Sequence, residues 1–283
     1  MLTEVEAAGL TVRGVSLGGV YTSLHVPSMS LLFDVGIALR STGASKHLFI
    51  SHAHVDHIGA LPSLLGLRAL TGVKAPMKIY LPAQIAEHMQ GLLDAVGNMH
   101  RHPLDVELIP MEPGDEVDLR SNLKVRAFRT WHPVPSLGYL FFNSVSKLKD
   151  EFKHLPGPEI GKLRREGAPI FNTETRLELA YATDTLPRVL ETTPELLDTR
   201  VLMMECTFLD DRKAVEAARA GCHIHLDELL PFADDLKNEA LLLMHFSQLY
   251  KPREIPEILA RRCPEHLYDR IVPFIPEASQ WPG

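Results

Sequence analysis

Within six residues, His52-Ala53-His54-Val55-Asp56-His57, the chain places three imidazoles and a carboxylate directly behind the apolar run His47-Leu48-Phe49-Ile50. The run reads as a fully buried strand. Four groups of this kind crowded at the end of a buried strand are costly to enclose without a cation to pair with. Imidazole and carboxylate are also the ligand types that zinc prefers. Ile50 before and Ile58-Gly59 after tether the loop closely, which speaks against an ordinary His-rich surface loop. The fold must therefore hold a rigid strand end where residues from elsewhere can complete a metal site.

The rest of the pattern supplies such a fold. Strand-type runs fall at 10–17, 21–26, 30–33, 47–50, 78–81, 106–109, 123–130, 137–142, 177–182, 201–204 and 240–244. Helical spacing covers 58–70, 82–96, 211–220, 223–236 and 252–262. Strands and helices alternate in two successive halves, which predicts an α/β sandwich with helices outside two central sheets. The charged stretch 144–175 carries Pro156, Gly157, Pro158, Gly161 and Gly167 and reads as an excursion from the core. His52, Asp184, Glu205 and His245 each follow an apolar strand, where α/β proteins build their sites.

Composition narrows the class. The 283 residues are 45% hydrophobic, enough for one sizeable core, and no apolar run approaches the roughly 20 residues of a membrane span. The start, MLTEVEAAGL, is acidic and lacks the basic and apolar segments of a secretory signal. Three cysteines make a disulfide framework improbable and point to a reducing, cytoplasmic setting. A net charge of −7 argues against a broad nucleic-acid-binding surface but leaves room for a local basic patch.

The metal motif, continued by Gly59-Ala60-Leu61-Pro62, resembles the metallo-β-lactamase superfamily. Within it the chain is most similar to the tRNase Z family in its short, plant-type form. The similarity runs through LLFDVG (31–36), FISHAHVDHIGALP (49–62), KVRAFRTWH (124–132), ATDT (182–185), MECTFLDD (204–211), HIH (223–225) and HFSQLY (245–250). The resemblance implies a four-layer αββα sandwich formed by a single domain over 1–283, with the 144–175 excursion as a reduced tRNA-gripping arm. It implies two divalent ions, zinc with manganese as the alternative. One is held by His52, His54 and His132, the other by Asp56, His57 and His245, with Asp184 bridging. It further implies that Asp56 accepts the proton of the attacking water and that Glu205 orients His223, which stabilises the phosphate and protonates the leaving oxygen. His225, two residues on, stays open as an alternative to His223. Asp34 is expected to support the metal loop by hydrogen bonds, with Thr185 and Ser247 in similar roles.

The expected activity is removal of the 3′ trailer from precursor tRNA by a homodimer. A hydrolase of another, smaller phosphodiester or ester is the enzymatic alternative, and a binding or scaffold subunit the non-enzymatic one, although no ligand position is lost. Two departures from the family bear on this. No Lys or Arg lies between Arg13 and Arg40, where many members carry a basic loop, and Leu249 stands where the family has an arginine.

Overall fold

The computed structural model describes residues 2–277 and Trp281. Seven strands form a first sheet in chain order: β1 (Thr3–Ala7), β2 (Leu10–Leu17), β3 (Tyr21–Val26), β4 (Leu31–Phe33), β5 (His47–Phe49), β6 (Met77–Pro82) and β7 (Val106–Met111). Seven more form a second: β8 (Glu116–Arg120), β9 (Leu123–Arg129), β10 (Leu137–Leu148), β11 (Phe171–Ala182), β12 (Val201–Glu205), β13 (Ala240–Met244) and β14 (Ile271–Pro273). Each sheet begins as an antiparallel meander and ends with parallel pairings, β4 to β7 in the first and β11 to β14 in the second. The two halves of the sequence thus repeat one topology.

Strand alternation sorts the side chains into layers. Phe33 and Phe49 point between the sheets, where they meet Tyr139, Phe141, Tyr181, Met203 and Leu242. Leu32, Leu48 and Ile50 point outward, against the helices Leu61–Leu70 and Ala86–His100. On the far side Leu140, Leu202 and Leu243 meet the helices that carry Leu190, Leu229, Ile255 and Leu259. Helix, sheet, sheet, helix is the expected four-layer sandwich. Aromatic rings bind the inner layer: Phe49 stacks on Tyr80 at 4.4 Å, and Phe33 meets Tyr181 of the opposite sheet at 4.6 Å. Such pairs each contribute about 0.5–1.5 kcal/mol beyond their buried area.

The 144–175 excursion opens as an extension of the second sheet. β10 and β11 extend past the core as a two-stranded ribbon, pairing Ser144 with Thr175 and Lys147 with Asn172. Only 149–170 lies outside the sheet, and it contains a 3-10 turn, Asp150–Phe152, and the α-helix Gly157–Arg165, neither of which has a buried residue. A ribbon solvated on both faces has no reason to alternate apolar and polar residues, so its sequence carries no strand period. β1, β8 and β14 were likewise absent from the sequence expectation. All three are short strands of sheet-edge position. The helix expected over 223–236 shrinks to Leu226–Leu229 and a following turn of 3-10 helix, because Pro231 interrupts it.

Candidate metal centre

The seven candidate ligands converge on one end of the sandwich, where the parallel strands of both sheets finish. His52, His54, Asp56 and His57 come from the loop and the short helix Val55–Ile58 behind β5. His132 follows β9, Asp184 follows β11 and His245 follows β13. Glu205 is the last residue of β12 rather than the first beyond it. Three strand-end residues turn the chain through the left-handed region: Asp34 (φ 53°), Asp184 (φ 45°) and His245 (φ 60°). That conformation costs a non-glycine residue roughly 1–2 kcal/mol, and here it swings the side chain into the shared centre. Gly36 lets the metal loop close down. A Cβ at Gly36 would stand 1.9 Å from the Asp56 carbonyl oxygen.

Two clusters result. In the first, His54 Nδ1 lies 3.1 Å from His52 Nε2 and 3.2 Å from His132 Nε2, with Asp184 Oδ2 3.7 Å from His52 Nε2. Zinc–nitrogen bonds of about 2.0–2.1 Å in a tetrahedron place neighbouring ligand atoms roughly 3.3 Å apart, so these four groups fit a cation. In the second, His57 Nε2 and His245 Nε2 each lie 3.4 Å from Asp184 Oδ1, and Asp56 Oδ2 is 3.5 Å from His57 Nε2 and 4.0 Å from His245 Nε2. Both of these imidazole nitrogens are buried without a hydrogen-bond partner. An orphaned buried nitrogen is costly, and here two of them face the same carboxylates. A second cation fits this donor set, with Asp184 between the two clusters.

The groups behind the ligands fix the ring orientations. Asp34 accepts four hydrogen bonds, from Ser51 N and Oγ at 2.7 Å each, His57 Nδ1 at 2.8 Å and Tyr181 Oη at 2.6 Å. With its Nδ1 donating to Asp34, His57 turns Nε2 to the centre. Ser51 Oγ gives its proton to Asp34 and so accepts from His52 Nδ1 at 3.0 Å, which leaves the His52 Nε2 lone pair free. Thr207 does the same for His245. Its hydroxyl donates to Glu205 Oε2 at 2.5 Å and accepts from His245 Nδ1 at 3.1 Å. Partners of this kind set tautomer and basicity in metal sites.

Electrostatics follow the packing. Burial pulls the His57 imidazole down, but Asp184, Asp34 and Asp56 outweigh it and hold its pKa up to about 9. His52 is lowered to about 2, by burial first and by the His57 charge next. Burial opposes ionisation of Asp56, yet the neighbouring imidazoles of His245 and His57 bring it to about 2.

Beside the second cluster, His223 Nδ1 lies 3.3 Å from both oxygens of the fully buried Glu205, and its ring stacks 5.3 Å from that of His245. Glu205 is held in turn by Thr185 N at 2.6 Å and Ile224 N at 3.2 Å. Burial lowers the His223 imidazole, but the charge and hydrogen bond of Glu205 prevail and push it up to about 9. His225 faces elsewhere. It accepts from Asp227 N as a helix cap and reaches the Asp210 carbonyl at 3.0 Å. The geometry therefore puts His223, not His225, at the centre.

Asp34 and Thr185 stand where the sequence placed them, whereas Ser247 forms the turn after His245 through its bonds to Leu249 N and Thr207 O. Thr207 lies within the MECTFLDD stretch but, like Tyr181, has no role legible from the sequence, one being a hydroxyl and the other a core aromatic until His245 and Asp34 are brought against them. Leu249 is half exposed, and Arg212 fills its neighbourhood, donating to the Leu249 carbonyl at 3.2 Å and stacking over Tyr250 at 4.4 Å.

Residues 35–246 match the family described as Beta-lactamase superfamily domain. The chain is 36% identical over 262 residues to tRNase Z TRZ1 of Arabidopsis thaliana, covering 92% of this chain and 93% of that one. It is 41% identical over 172 residues to a nuclear ribonuclease Z of Triticum aestivum, covering 61% of this chain and 97% of the relative. Its fold matches the crystal structure of human tRNase Z, short form, with a TM-score of 0.57 and 17% identity over 99% of this chain and 96% of that one. The fold, the convergent His and Asp residues and these likenesses lead to one assignment: the chain belongs to the metallo-β-lactamase superfamily and, within it, to the tRNase Z family.

Proposed function

We propose that the protein is a metal-dependent endoribonuclease that removes the 3′ trailer from precursor tRNA. The observation that carries the reading is the Glu205–His223 pair set beside two cation-sized donor clusters. His52, His54 and His132 would hold one divalent ion and Asp56, His57 and His245 the other, with Asp184 shared; zinc suits the nitrogen-rich donor set, and manganese is the alternative. Two such ions supply Lewis-acid polarisation of the phosphoryl group and activation of water near neutral pH.

The protein groups provide the rest. Asp56 is ionised at neutral pH and partly open to solvent, so it can accept the proton of the attacking water. His223 is cationic at neutral pH and has its Nδ1 engaged by Glu205. Its other nitrogen is free to meet the phosphate and to protonate the departing oxygen. Relatives named for a nuclear and a chloroplast location accompany this family. The expected cytoplasmic setting rests on the free cysteines, and imaging of the tagged chain tests it. The homodimer rests on resemblance alone and is tested by sedimentation.

Cleavage mapping on a precursor tRNA, with and without chelator, tests the function. A cut at the trailer junction that chelator abolishes is the expected result. Hydrolysis of bis(p-nitrophenyl) phosphate with the precursor left intact would replace the RNA reading by that of a small-phosphodiester hydrolase. His54→Ala should abolish turnover while leaving the far-UV circular dichroism unchanged; an unaltered rate would remove this ligand assignment. Metal analysis showing fewer than two ions per chain would favour a non-enzymatic role.

A further inference from the structure

Trp131 stands directly before His132 and carries two guanidinium groups. The central carbon of Arg129 and that of Arg188 each lie 4.1 Å from its ring. Arg129 ends β9 and Arg188 opens the helix Arg188–Thr192, so two distant segments bring their cations to one indole. Both arginines are exposed. Neither makes an ion pair or side-chain hydrogen bond among the described residues. Arg126, three residues before Arg129, is by contrast engaged, reaching Glu195 at 2.7 Å.

The Trp131 backbone is tied into the candidate centre, while its indole Nε1 donates to Thr192 Oγ1 at 3.4 Å. Trp131 N donates to Thr185 Oγ1 at 2.9 Å, Thr185 follows Asp184, and Thr185 N donates to Glu205 at 2.6 Å. A cleft of about 330 Å³ runs from His132 to Arg129 along Thr130, Pro135 and Ser136. Glu112 also lines it and accepts from Gln84 at 3.3 Å. Lys213 sits 5.3 Å from the ring of Phe208, whose ring lies 6.4 Å from that of His223.

We propose that Arg129 and Arg188, braced on Trp131, form a phosphate-gripping wall that holds the single-stranded RNA backbone next to the scissile bond. This rests on the endoribonuclease reading and names the residues that would secure its substrate. The negative face of an indole attracts a guanidinium and keeps its plane fixed, while the N–H edges stay free. Guanidinium edges match phosphate oxygens bidentately. Cations interleaved with aromatic rings also suit single strands, whose bases can stack as their phosphates pair. In a chain with a net charge of −7, two unneutralised arginines beside the centre place attraction where an RNA strand must pass.

The test compares wild type with Arg129→Gln/Arg188→Gln, using precursor tRNA cleavage over a range of KCl concentrations. The expected result is a KM raised on the order of tenfold at low salt, with kcat within about threefold, and a slope of log(kcat/KM) against log[KCl] shallower by about 1.4, or about 0.7 for each lost single-strand contact. Arg129→Lys/Arg188→Lys should keep most of the slope while losing part of the affinity, since a lysine retains the charge without the planar fork. Metal content and circular dichroism verify folding, and Arg188→Gln alone serves if the double variant does not fold. An unchanged KM and slope, or a fall in kcat alone, overturns the wall while the endoribonuclease reading stands. If wild type leaves the precursor intact, that reading has failed. The uncleaved RNA is then titrated by fluorescence anisotropy, where equal Kd and salt slope for wild type and variant overturn the wall as well.

Discussion

Single residues set the protonation chemistry of the centre. Glu205 takes four donors and presses on His223, whose proton it retains up to about pH 9. If His223 donates to the leaving oxygen, activity falls as pH rises through that value. Glu205→Gln removes the anion, so the alkaline limb should move from about 9 toward the ordinary histidine value of 6.5. Rates on precursor tRNA between pH 6 and 10 give the answer, and a limb that stays near 9 would detach His223 from that role. Thr207 offers a second probe, because its hydroxyl joins Glu205 to His245. Thr207→Val leaves His245 Nδ1 without its partner. Losses behind a metal ligand typically lower affinity about 10–100-fold, and competition with a chromogenic chelator should show that loss for one of two ions. An unchanged pair of affinities would count against His245 as a ligand.

At the scale of elements, strand ends decide where the chemistry sits, and this much could be read in advance. Apolar runs such as 47–50, 201–204 and 240–244 have a clear pattern because the opposite sheet covers one of their faces and helices the other, and the site residues follow them directly. The edge strands and the ribbon of β10 and β11 could not be read, since they lack a continuous buried face. Nor could the bracing groups, because Tyr181 reaches Asp34 and Thr207 reaches His245 only once distant segments pack. The closeness of elements is itself testable. Gly36 admits the Asp56 carbonyl so tightly that a Cβ would meet it at 1.9 Å, and it also donates to the Thr22 carbonyl at 2.9 Å. Gly36→Ala must displace backbone on one side. A destabilisation of about 1–3 kcal/mol is expected from such overpacking, together with weakened metal binding through Asp56 and His57. Urea unfolding and metal stoichiometry measure the two effects, and a variant with wild-type values for both would show that the loop has room.

On the scale of the whole molecule, the centre lies on the seam between two topologically equivalent halves. Asp34 follows β4 and Asp184 follows β11, at matching places in the two sheets, and Tyr181 of the second half donates to Asp34 of the first. The loop ligands come from the first half, whereas His132, Asp184 and His245 come from the second. Ions held by these candidate ligands would therefore join the halves. Their removal should lower the melting temperature, since a ligand at 100 times its Kd contributes about 2.7 kcal/mol per site. The pH dependence of that difference carries more information. Without metal, His57 keeps a proton among three carboxylates, with a pKa of about 9 against 6.5 when unfolded. A raised value of this kind contributes stability that is complete below pH 6.5 and disappears as pH rises through about 9. In the loaded protein the ion replaces that proton, so the contribution is absent. His223 is raised to about 9 in the metal-free chain chiefly by Glu205, which stays its partner in either state, so that share cancels in the comparison. Asp56, depressed to about 2, stays ionised throughout this window. The metal-free protein should therefore lose stability between pH 6.5 and 9 relative to the loaded one. The gap in melting temperature should widen with pH, and loading should release protons near neutrality. Scanning calorimetry of chelated and reloaded protein at pH 6.5, 7.5 and 8.5 measures the gap. A gap that is flat or narrows with pH would mean that His57 is not the proton-holding group that the ion displaces.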